Sequence, residues 1–376
     1  MTKTRSLLFQ SLCLMVTSVV GVGIFALPLS FRANGLWSSL MIFLAVFLVV
    51  VYVQLAYVRV TQAVSGTHDR LIGYARHLAG YKTGWFCAVL FIGSLLGALT
   101  AYIRAGASFL GLAVQPFGVT LPFLVLVLFF SLLVNVVARK GMRFLRTWEP
   151  WIASTLLGGF GLLTLICLPF VSLESLSGWR ADAPLETYGA VLFALLGFTA
   201  VPEMKQLLGR SFGYLLPGGV VRGVATVALL YIGVASVTSL VIVGTNPLTV
   251  LHGLQPIFGA PLAVVGGLLG VLTIFSVYTF VAAELVVICV NDLSLRRRTA
   301  IVLVWGVPLL LNVLPGLELG SLMAFTGAVF NALLGCLIIW LAHRIEGRQS
   351  PVSRAVSFVV VSGLLIGASL TIVQLF

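Results

Sequence analysis

The sequence predicts an all-α polytopic membrane protein with about eleven transmembrane helices. Of its 376 residues, 60% are hydrophobic and only 9% are charged, and the mean hydropathy is +1.16. A soluble domain does not carry that balance, and runs of about 18 or more apolar residues indicate helices that cross a bilayer. A second observation is a short motif found in two of these runs, as GIFALP at residues 23–28 and as GFTAVP at residues 197–202.

The predicted spans account for nearly the whole chain. They cover residues 8–33, 36–59, 84–113, 120–138, 149–171, 187–211, 217–243, 262–290, 300–314, 320–342 and 354–375. No polar stretch between them is long enough for a separate soluble domain, so residues 1–376 are expected to form one transmembrane domain. All five cysteines lie inside predicted spans. This argues against a disulfide framework or a metal cluster and favours small packing residues.

The basic residues set the expected orientation. With the N-terminus in the cytoplasm, all but three of the 22 Lys and Arg residues fall on the cytoplasmic side, the exceptions being Arg32, Arg104 and Arg180. Cytoplasmic loops carry the excess of Lys and Arg, so the N-terminus is expected inside and eleven spans then place the C-terminus outside. The net charge of +12 is therefore a topology signal, and the expected partner is the lipid bilayer rather than a nucleic acid.

The two copies of the motif interrupt spans 1 and 6. In span 1, Gly21 and Gly23 tolerate irregular backbone dihedrals, and the helix is expected to resume near Ala26 with Pro28 in its first turn. In span 6, GFTAVP repeats the pattern, with its glycine at the break and its proline opening the second half-helix. Exposed backbone groups persist at membrane depth only where they line a cavity or meet other protein groups.

The spacing of the breaks points to a binding site. Because span 6 comes five spans after span 1, an odd step, the two copies run in opposite directions. Paired broken helices in an inverted repeat indicate the substrate site of a secondary transporter. Helix N-termini suit a carboxylate and helix C-termini suit an ammonium group, so a zwitterionic amino acid would meet both. The alternative is a glycine–proline kink in a packing helix. The candidate substrate-binding residues at the breaks, including three phenylalanines placed to contact a substrate side chain, are Val20, Gly21, Gly23, Phe25, Phe193, Gly197, Phe198 and Thr199.

Three segments resemble a known family. GVGIFALPLSFRANG at residues 21–35 resembles the first-span signature of the amino acid/auxin permease group of the amino acid–polyamine–organocation superfamily. LTAYIRAGASFL at residues 99–110 and VLFALLGFTAVPEM at residues 191–204 resemble bacterial hydroxy/aromatic amino acid permeases. The resemblance covers nearly the whole chain.

The resemblance implies a fold and a function. The fold is that of the leucine transporter, with inverted repeats at about residues 8–171 and 187–342 and an extra helix at 354–375. Substrate would bind between spans 1, 3, 6, 8 and 10, and Tyr102 of span 3 would line the pocket. Family members are secondary amino acid transporters, and the bacterial aromatic branch is proton-driven. The resemblance thus implies an aromatic or large neutral amino acid as substrate, no cofactor beyond a coupling ion, and the plasma membrane, in bacteria the inner membrane.

Two acids inside the predicted spans are candidates for ion coupling. Glu203 follows the span 6 break, where it could stabilise the helix N-terminus, with Lys205 or Gln206 as a partner, or could carry a proton or meet a substrate ammonium group. Glu284 lies near the inner end of span 8, where it could carry a proton, form a structural ion pair or snorkel to the surface. Neither acid is a landmark of the family, so the coupling ion stays open.

Hydroxyl groups keep sodium open as the coupling ion. Ser276 and Thr279 share a face of span 8, and either could complete a sodium site with backbone carbonyls around Thr17 and Val20, or could bond its own helix carbonyl. No histidine is expected inside a span and the sequence carries no hydrolase or nucleotide-binding motif, so an enzyme or primary pump is not expected. The sequence favours a proton-coupled amino acid symporter working by alternating access. The alternatives are a sodium-coupled symporter, a channel, or a non-transporting sensor on the same fold.

Other polar groups give smaller expectations. Arg104, in the outer half of span 3, could gate the outer vestibule against Glu318 or could snorkel to the surface. The loop at residues 244–261 could carry a short helix over the outer side or be a plain connector. Interhelical hydrogen bonds are expected from Asn135, Asn312 and Asn331.

Overall fold

A computed structural model describes residues 3–64, 70–138, 142–171, 179–243, 249–314, 318–346 and 350–375. These residues are almost entirely helical. The α-helices are α1 Lys3–Val19, α2 Gly23–Asn34, α3 Leu36–Ala63, α4 Leu71–Ala79, α5 Tyr81–Val114, α6 Phe123–Ala138, α7 Met142–Cys167, α8 Pro184–Leu195, α9 Ala200–Leu208, α10 Leu216–Ser239, α11 Val250–Asn291, α12 Arg297–Val313, α13 Leu319–Phe325, α14 Ala332–Glu346 and α15 Pro351–Leu375. A π-helical turn, Thr326–Asn331, joins α13 to α14.

The length and composition of these helices agree with a polytopic membrane protein. Among the described residues, eight helical segments are long and apolar enough to cross a bilayer, and nine when the bent pair α1 and α2 is one span. Helices α6 and α12 occupy the places of predicted spans 4 and 9 with 16 and 17 residues. At about 1.5 Å per residue they are shorter than a hydrocarbon core of about 30 Å. The all-α membrane class is confirmed, whereas the count of eleven spans is not established.

Both predicted breaks are present. Helices α1 and α2 are separated by Val20–Val22 and bent by 61°, and residues 196–199 separate α8 from α9. Helix α9 begins two residues before Pro202, which therefore lies in its first turn as predicted. Helix α2, however, begins at Gly23 rather than near Ala26. Hydrogen bonds from the N–H groups of residues 24–26 to the carbonyls of residues 21 and 22 close its first turn early and leave Pro28 inside the helix.

Two short helices flank the membrane spans, one in each half of the chain. Helix α4 was not predicted from the sequence; it precedes α5 and ends at Gly80, whose φ is 86°. The outer helix anticipated within the loop at 244–261 is the first part of α11, which kinks at Gly259 with φ 65° and ψ −152°. Both junctions need a left-handed backbone, which glycine adopts without a Cβ penalty. A short helix, a glycine turn and a long span recur as the predicted inverted repeat requires.

Small residues let the central helices approach closely. Helices α5 and α11 share the most extensive interface of the described residues, and a Cβ on Gly270 would lie 2.5 Å from the ring of Phe109. Such small-residue contacts are how membrane helices gain van der Waals packing without a hydrophobic driving force. The three predicted asparagine bonds are also present, joining Asn135 to Tyr278, Asn312 to the Thr100 carbonyl and Asn331 to Ser94.

Candidate functional site

A small internal cavity lies where the two broken spans meet. Its volume is about 40 Å³, and nearly all of its lining residues are buried. The lining comes from α1, α5, α8, the break between α8 and α9, α11 and the π-helical turn. The residues are Ser18, Phe91, Ser94, Leu95, Ala98, Tyr102, Phe193, Leu196, Gly197, Phe198, Thr199, Val281 and Asn331.

The span 6 break presents backbone N–H groups at this cavity. Gly197, Phe198 and Thr199 line the cavity, and their N–H groups donate no hydrogen bond to any described residue. They precede the N-terminus of α9, where the helix dipole adds partial positive charge. Consecutive free N–H groups at a helix N-terminus form a site suited to a carboxylate or another anion.

The span 1 break is closed by a protein side chain instead. The Tyr231 hydroxyl of α10 donates to the Val19 carbonyl at 2.9 Å and accepts from the Gly21 N–H at 3.4 Å. One hydroxyl therefore satisfies a donor and an acceptor that the unwound backbone exposes. The sequence did not indicate this contact, although a tyrosine in the middle of an apolar span needs a polar partner and was the available signal.

The cavity brings together five of the nine predicted substrate-binding residues. Tyr102, Phe193, Gly197, Phe198 and Thr199 line it, and the rings of Tyr102 and Phe193 are 6.5 Å apart. The span 6 break therefore lies at the cavity as the sequence suggested.

The span 1 residues lie elsewhere, and only Ser18 represents that span among the lining residues. Phe25 packs against Phe109 at 4.2 Å and Phe160 at 5.2 Å, away from the cavity. A Cβ on Gly23 would meet the Ala194 Cβ at 2.5 Å, so this glycine serves helix packing. Val20 and Gly21 are likewise buried outside the lining, because α2 begins at Gly23 and turns this stretch towards α10.

Several cavity residues were missed by sequence reasoning. Helix α5 contributes a stripe at helical spacing from Phe91 to Tyr102, which could have been extended from Tyr102 by periodicity alone. Asn331 ends the π-helical turn and accepts a hydrogen bond from Ser94 at 2.5 Å through its Oδ1 atom. Isolated π-turns inside helices occur frequently at functional sites.

Aromatic rings connect the cavity to helix α4. The ring of Phe198, in the cavity lining, is 6.2 Å from Tyr57, and Tyr57 is 6.4 Å from Tyr74 of α4. The Lys205 ammonium lies 5.4 Å from the Tyr74 ring and donates to the carbonyls of Thr61 and Val64 at the end of α3. These contacts close the side of the molecule that the charge distribution predicts to be cytoplasmic.

A buried ion cluster, formed by Arg70, Glu203 and Glu284, lies next to helix α4. Arg70, which precedes α4, donates through Nη2 to Glu203 Oε1 at 2.6 Å, and its Nε lies 2.8 Å from Glu284 Oε2. The side chains are only 9%, 3% and 1% exposed, respectively. The partner of Glu203 is thus Arg70 rather than the predicted Lys205 or Gln206. Glu284 forms an ion pair and does not snorkel, because its side chain points into the protein.

The electrostatics of the cluster keep Arg70 charged. Burial by itself would lower the pKa of Arg70, but the nearby carboxylates of Glu284 and Glu203 outweigh burial and raise it above its usual value. The contact of Arg70 Nε with Glu284 is short but lacks hydrogen-bond geometry, and Glu284 Oε1 has no hydrogen-bond partner among the described residues. The cluster therefore joins one cation to two acids.

The hydroxyls proposed for a sodium site behave differently from each other. Ser276 of α11 donates to the Thr17 carbonyl of α1 at 3.3 Å, which brings together the two groups named from the sequence. Thr279 bonds the carbonyl of Phe275 in its own helix at 2.8 Å. Arg104 lies over the ring of Phe123 at 5.3 Å, and the described residues show no ion pair between it and Glu318.

Comparison with known proteins agrees with this architecture. Residues 4–138 match the family model for transmembrane amino acid transporter proteins. Mhp1, a nucleobase-cation-symport-1 family transporter solved in a closed conformation with bromovinylhydantoin bound, is similar at 16% identity and a TM-score of 0.66, over 97% of this chain and 91% of Mhp1. MhsT, solved in complex with L-phenylalanine, is similar at 13% identity and a TM-score of 0.63, over 98% of each chain. A search of curated proteins finds no match.

The chain shares its fold with Mhp1 and MhsT, which is the leucine-transporter fold that the sequence predicted. The family match, over residues 4–138, includes the motifs of spans 1 and 3 that suggested an amino acid transporter, whereas the motif of span 6 lies outside it. A closer relationship to the hydroxy/aromatic permeases stays a prediction.

Proposed function

We propose that the protein is a proton-coupled symporter of aromatic or large neutral amino acids, in the plasma membrane, that works by alternating access around the broken spans 1 and 6. The observation that carries the proposal is the cavity at the span 6 break, where free N–H groups and aromatic side chains meet. MhsT, a solved structure with the same fold, holds L-phenylalanine, which is in keeping with an amino acid substrate here.

The cavity supplies complementary groups for a zwitterion with an apolar side chain. The N–H groups of residues 197–199 would receive the carboxylate, since helix N-termini bind anions. The C-terminal end of α1 provides the Ser18 carbonyl, which accepts no hydrogen bond from the described residues and suits an ammonium group. Phe91, Phe193 and Phe198 would contact the substrate side chain. Burying a large apolar side chain against these rings favours aromatic or large neutral substrates over small polar ones.

The volume of the cavity implies movement during the cycle. Ligand pockets for small molecules measure roughly 300–1,000 Å³, whereas this cavity measures about 40 Å³. Substrate entry therefore requires the broken helices and the aromatic side chains to separate. That separation is the alternating-access step, and Phe198 with Tyr57 and Tyr74 forms the barrier on the inner side.

Uptake into proteoliposomes tests the proposal. Purified protein should accumulate labelled phenylalanine, tyrosine, tryptophan or leucine when the outside is acidic, with saturation at rising substrate concentration. A thermal-shift screen across twenty amino acids should rank the same substrates first, because a ligand that binds only the folded state stabilises it. Stabilisation by small or cationic amino acids alone would refute the substrate class. An absence of transport under both proton and sodium gradients would refute the carrier.

The coupling ion and the type of protein are separated by the same preparation. The Arg70 cluster favours protons, because it holds acids beside the cavity, whereas the Ser276–Thr17 contact favours sodium as the second candidate. Accumulation on a pH gradient without sodium supports the first, and accumulation on a sodium gradient at equal pH supports the second. Ion flux far above carrier turnover would indicate a channel, and saturable binding without flux would indicate a sensor.

A further inference from the structure

We propose that Arg70 limits the site beside the substrate cavity to a single proton and couples that proton to closure of the inner passage. The inference rests on the proposed proton coupling and adds a positioning residue and a proton count to it. Arg70 contacts Glu203 of α9 and Glu284 of α11 at the same time, so it joins one half of a broken span to an unbroken span.

The charges of the cluster do not balance when both acids are ionised. Among the described residues of this cluster, one guanidinium faces two carboxylates and all three groups are buried. An excess buried charge is costly. The excess charge is removed when one carboxylate binds a proton. Glu284 is suited to that role, because its Oε1 atom has no hydrogen-bond partner among the described residues. Glu203 accepts a short hydrogen bond from Arg70 and lies in the first turn of α9. The guanidinium and the helix N-terminus both interact more favourably with an ionised carboxylate than with a neutral one.

The other groups that influence the charge of Glu284 do not remove the excess negative charge of the cluster. Among the described residues they are Asp292, which adds negative charge, and Tyr57, whose phenol is uncharged near neutral pH. The Tyr57 hydroxyl is buried and has no hydrogen-bond partner among the described residues. Lys205, the nearest other cation on α9, donates its ammonium to the carbonyls of Thr61 and Val64.

The cluster lies within reach of the cavity and of the inner barrier. Glu203 follows the cavity residue Thr199 by four positions, and Glu284 follows the cavity residue Val281 by three, so each acid is about one helical turn away. A proton from the outer side would arrive through the cavity and bind Glu284. When α4 and α9 move away from α11, water reaches Glu284, favours its ionised form, and takes the proton to the inner side. The sealed state therefore binds the proton and the inward-open state releases it.

Alkylation of a native cysteine reports whether the inner layer is sealed. Cys87 is fully buried in α5, the helix that packs against α4. The full-length protein in lipid nanodiscs is treated with N-ethylmaleimide at pH values from about 5 to 9, a range that brackets carboxylate and imidazole titration. Modification of Cys87 is followed by site-resolved mass spectrometry. Because the thiolate is the reactive form, each rate is divided by the rate for Cys87 in the unfolded protein at the same pH, and the pH dependence of this normalised rate is the readout. In the wild type the normalised rate should fall as the pH falls, because protonation favours the sealed state.

The variants are expected to move the midpoint of the pH dependence in opposite directions. Glu284→Gln should remove the pH dependence. Glu203→Gln leaves one cation for one acid, so the midpoint should move to lower pH by about one unit or more, and Arg70→Gln should move it to higher pH by a similar amount. Arg76→Gln removes one positive charge from α4 at a site whose guanidinium donates to the Asp292 carbonyl, and it should move the midpoint much less than Arg70→Gln.

The alternative of a purely structural Arg70 predicts a different result. Loosening alone would raise alkylation of Arg70→Gln at every pH without moving the midpoint, and that outcome would overturn the proposal. So would a pH dependence that survives in Glu284→Gln. If Arg70→Gln elutes as an aggregate, two other results still test the proposal. They are the lower midpoint expected of Glu203→Gln and the loss of pH dependence expected of Glu284→Gln. The assay needs neither substrate nor gradient, so a failure to transport any amino acid would be seen separately.

Discussion

The two breaks begin with similar motifs but end in different surroundings. At the span 1 break, the backbone groups of Val19 and Gly21 are bound by Tyr231, and only Ser18 reaches the cavity. At the span 6 break, residues 197–199 line the cavity, their N–H groups donate to no described residue, and an acid held by Arg70 follows. One break is satisfied by protein and the other is left available to a ligand. An inverted repeat can thus duplicate a motif while a few distant side chains give each copy its own task.

The largest effect is expected when a side chain is added to the glycine at each break. A Cβ on Gly23 would overlap the Ala194 Cβ and approach its Cα to 3.1 Å, whereas a Cβ on Gly197 would overlap only a Val19 methyl. Gly23→Val and Gly197→Val should each lower uptake at least about tenfold with membrane insertion retained, since overpacking costs about 1–3 kcal/mol. Gly161→Val, in open space on α7, is the control. Normal uptake in both break variants would mean that neither close approach matters.

A smaller effect is expected from the hydroxyl that closes the span 1 break. Tyr231→Phe leaves the Val19 carbonyl and the Gly21 N–H without that partner, which should cost about 1–3 kcal/mol of stability. We also expect weaker substrate binding in thermal-shift titrations, because the end of α1 is no longer held. Tyr278→Phe, which loses a bond to Asn135, should lower stability without changing the substrate affinity. Equal affinity losses in the two variants would remove the special role of the span 1 break.

The smallest effect is expected from Ser276. Its hydroxyl bonds the Thr17 carbonyl, and the proposed proton coupling gives it a packing role only. Ser276→Ala should therefore keep uptake on a pH gradient within about a factor of five, the equivalent of one lost hydrogen bond of about 1 kcal/mol. Loss of accumulation in this variant, restored by high sodium, would instead assign the coupling ion to the span 1 break.

The sequence was most reliable where a local pattern carries the information. Hydropathy predicted the membrane class, and glycine and proline positions located both breaks, because a helix must be interrupted near residues that permit it. Phe25, predicted to contact the substrate, does not line the cavity, for a reason of the same kind. Helix α2 resumes early, and its first turns direct Phe25 into a cluster with Phe109 and Phe160. Moving the start of a helix by three residues changes the direction of its side chains by most of a turn, and the motif does not determine where the helix starts.

The site residues that were not predicted depend on contacts between distant parts of the chain. Arg70 is 133 residues from Glu203, in a short connection that reads as ordinary positive charge on the cytoplasmic side. Tyr231 is 210 residues from Gly21, within the apolar stretch 227–235 of its span. Neither has a neighbour in sequence that reveals its partner.

By itself, the sequence determined that the helices lie in a lipid bilayer and where two of them break. Both properties depend on residues that are near one another in the chain. Only the tertiary structure decided which break is closed by Tyr231, which one faces the cavity, and that Glu203 and Glu284 share one arginine. These outcomes depend on distances of a few ångströms between helices. An ion pair or a filled hydrogen bond forms at such distances and is lost beyond them, so only the packed helices could decide them.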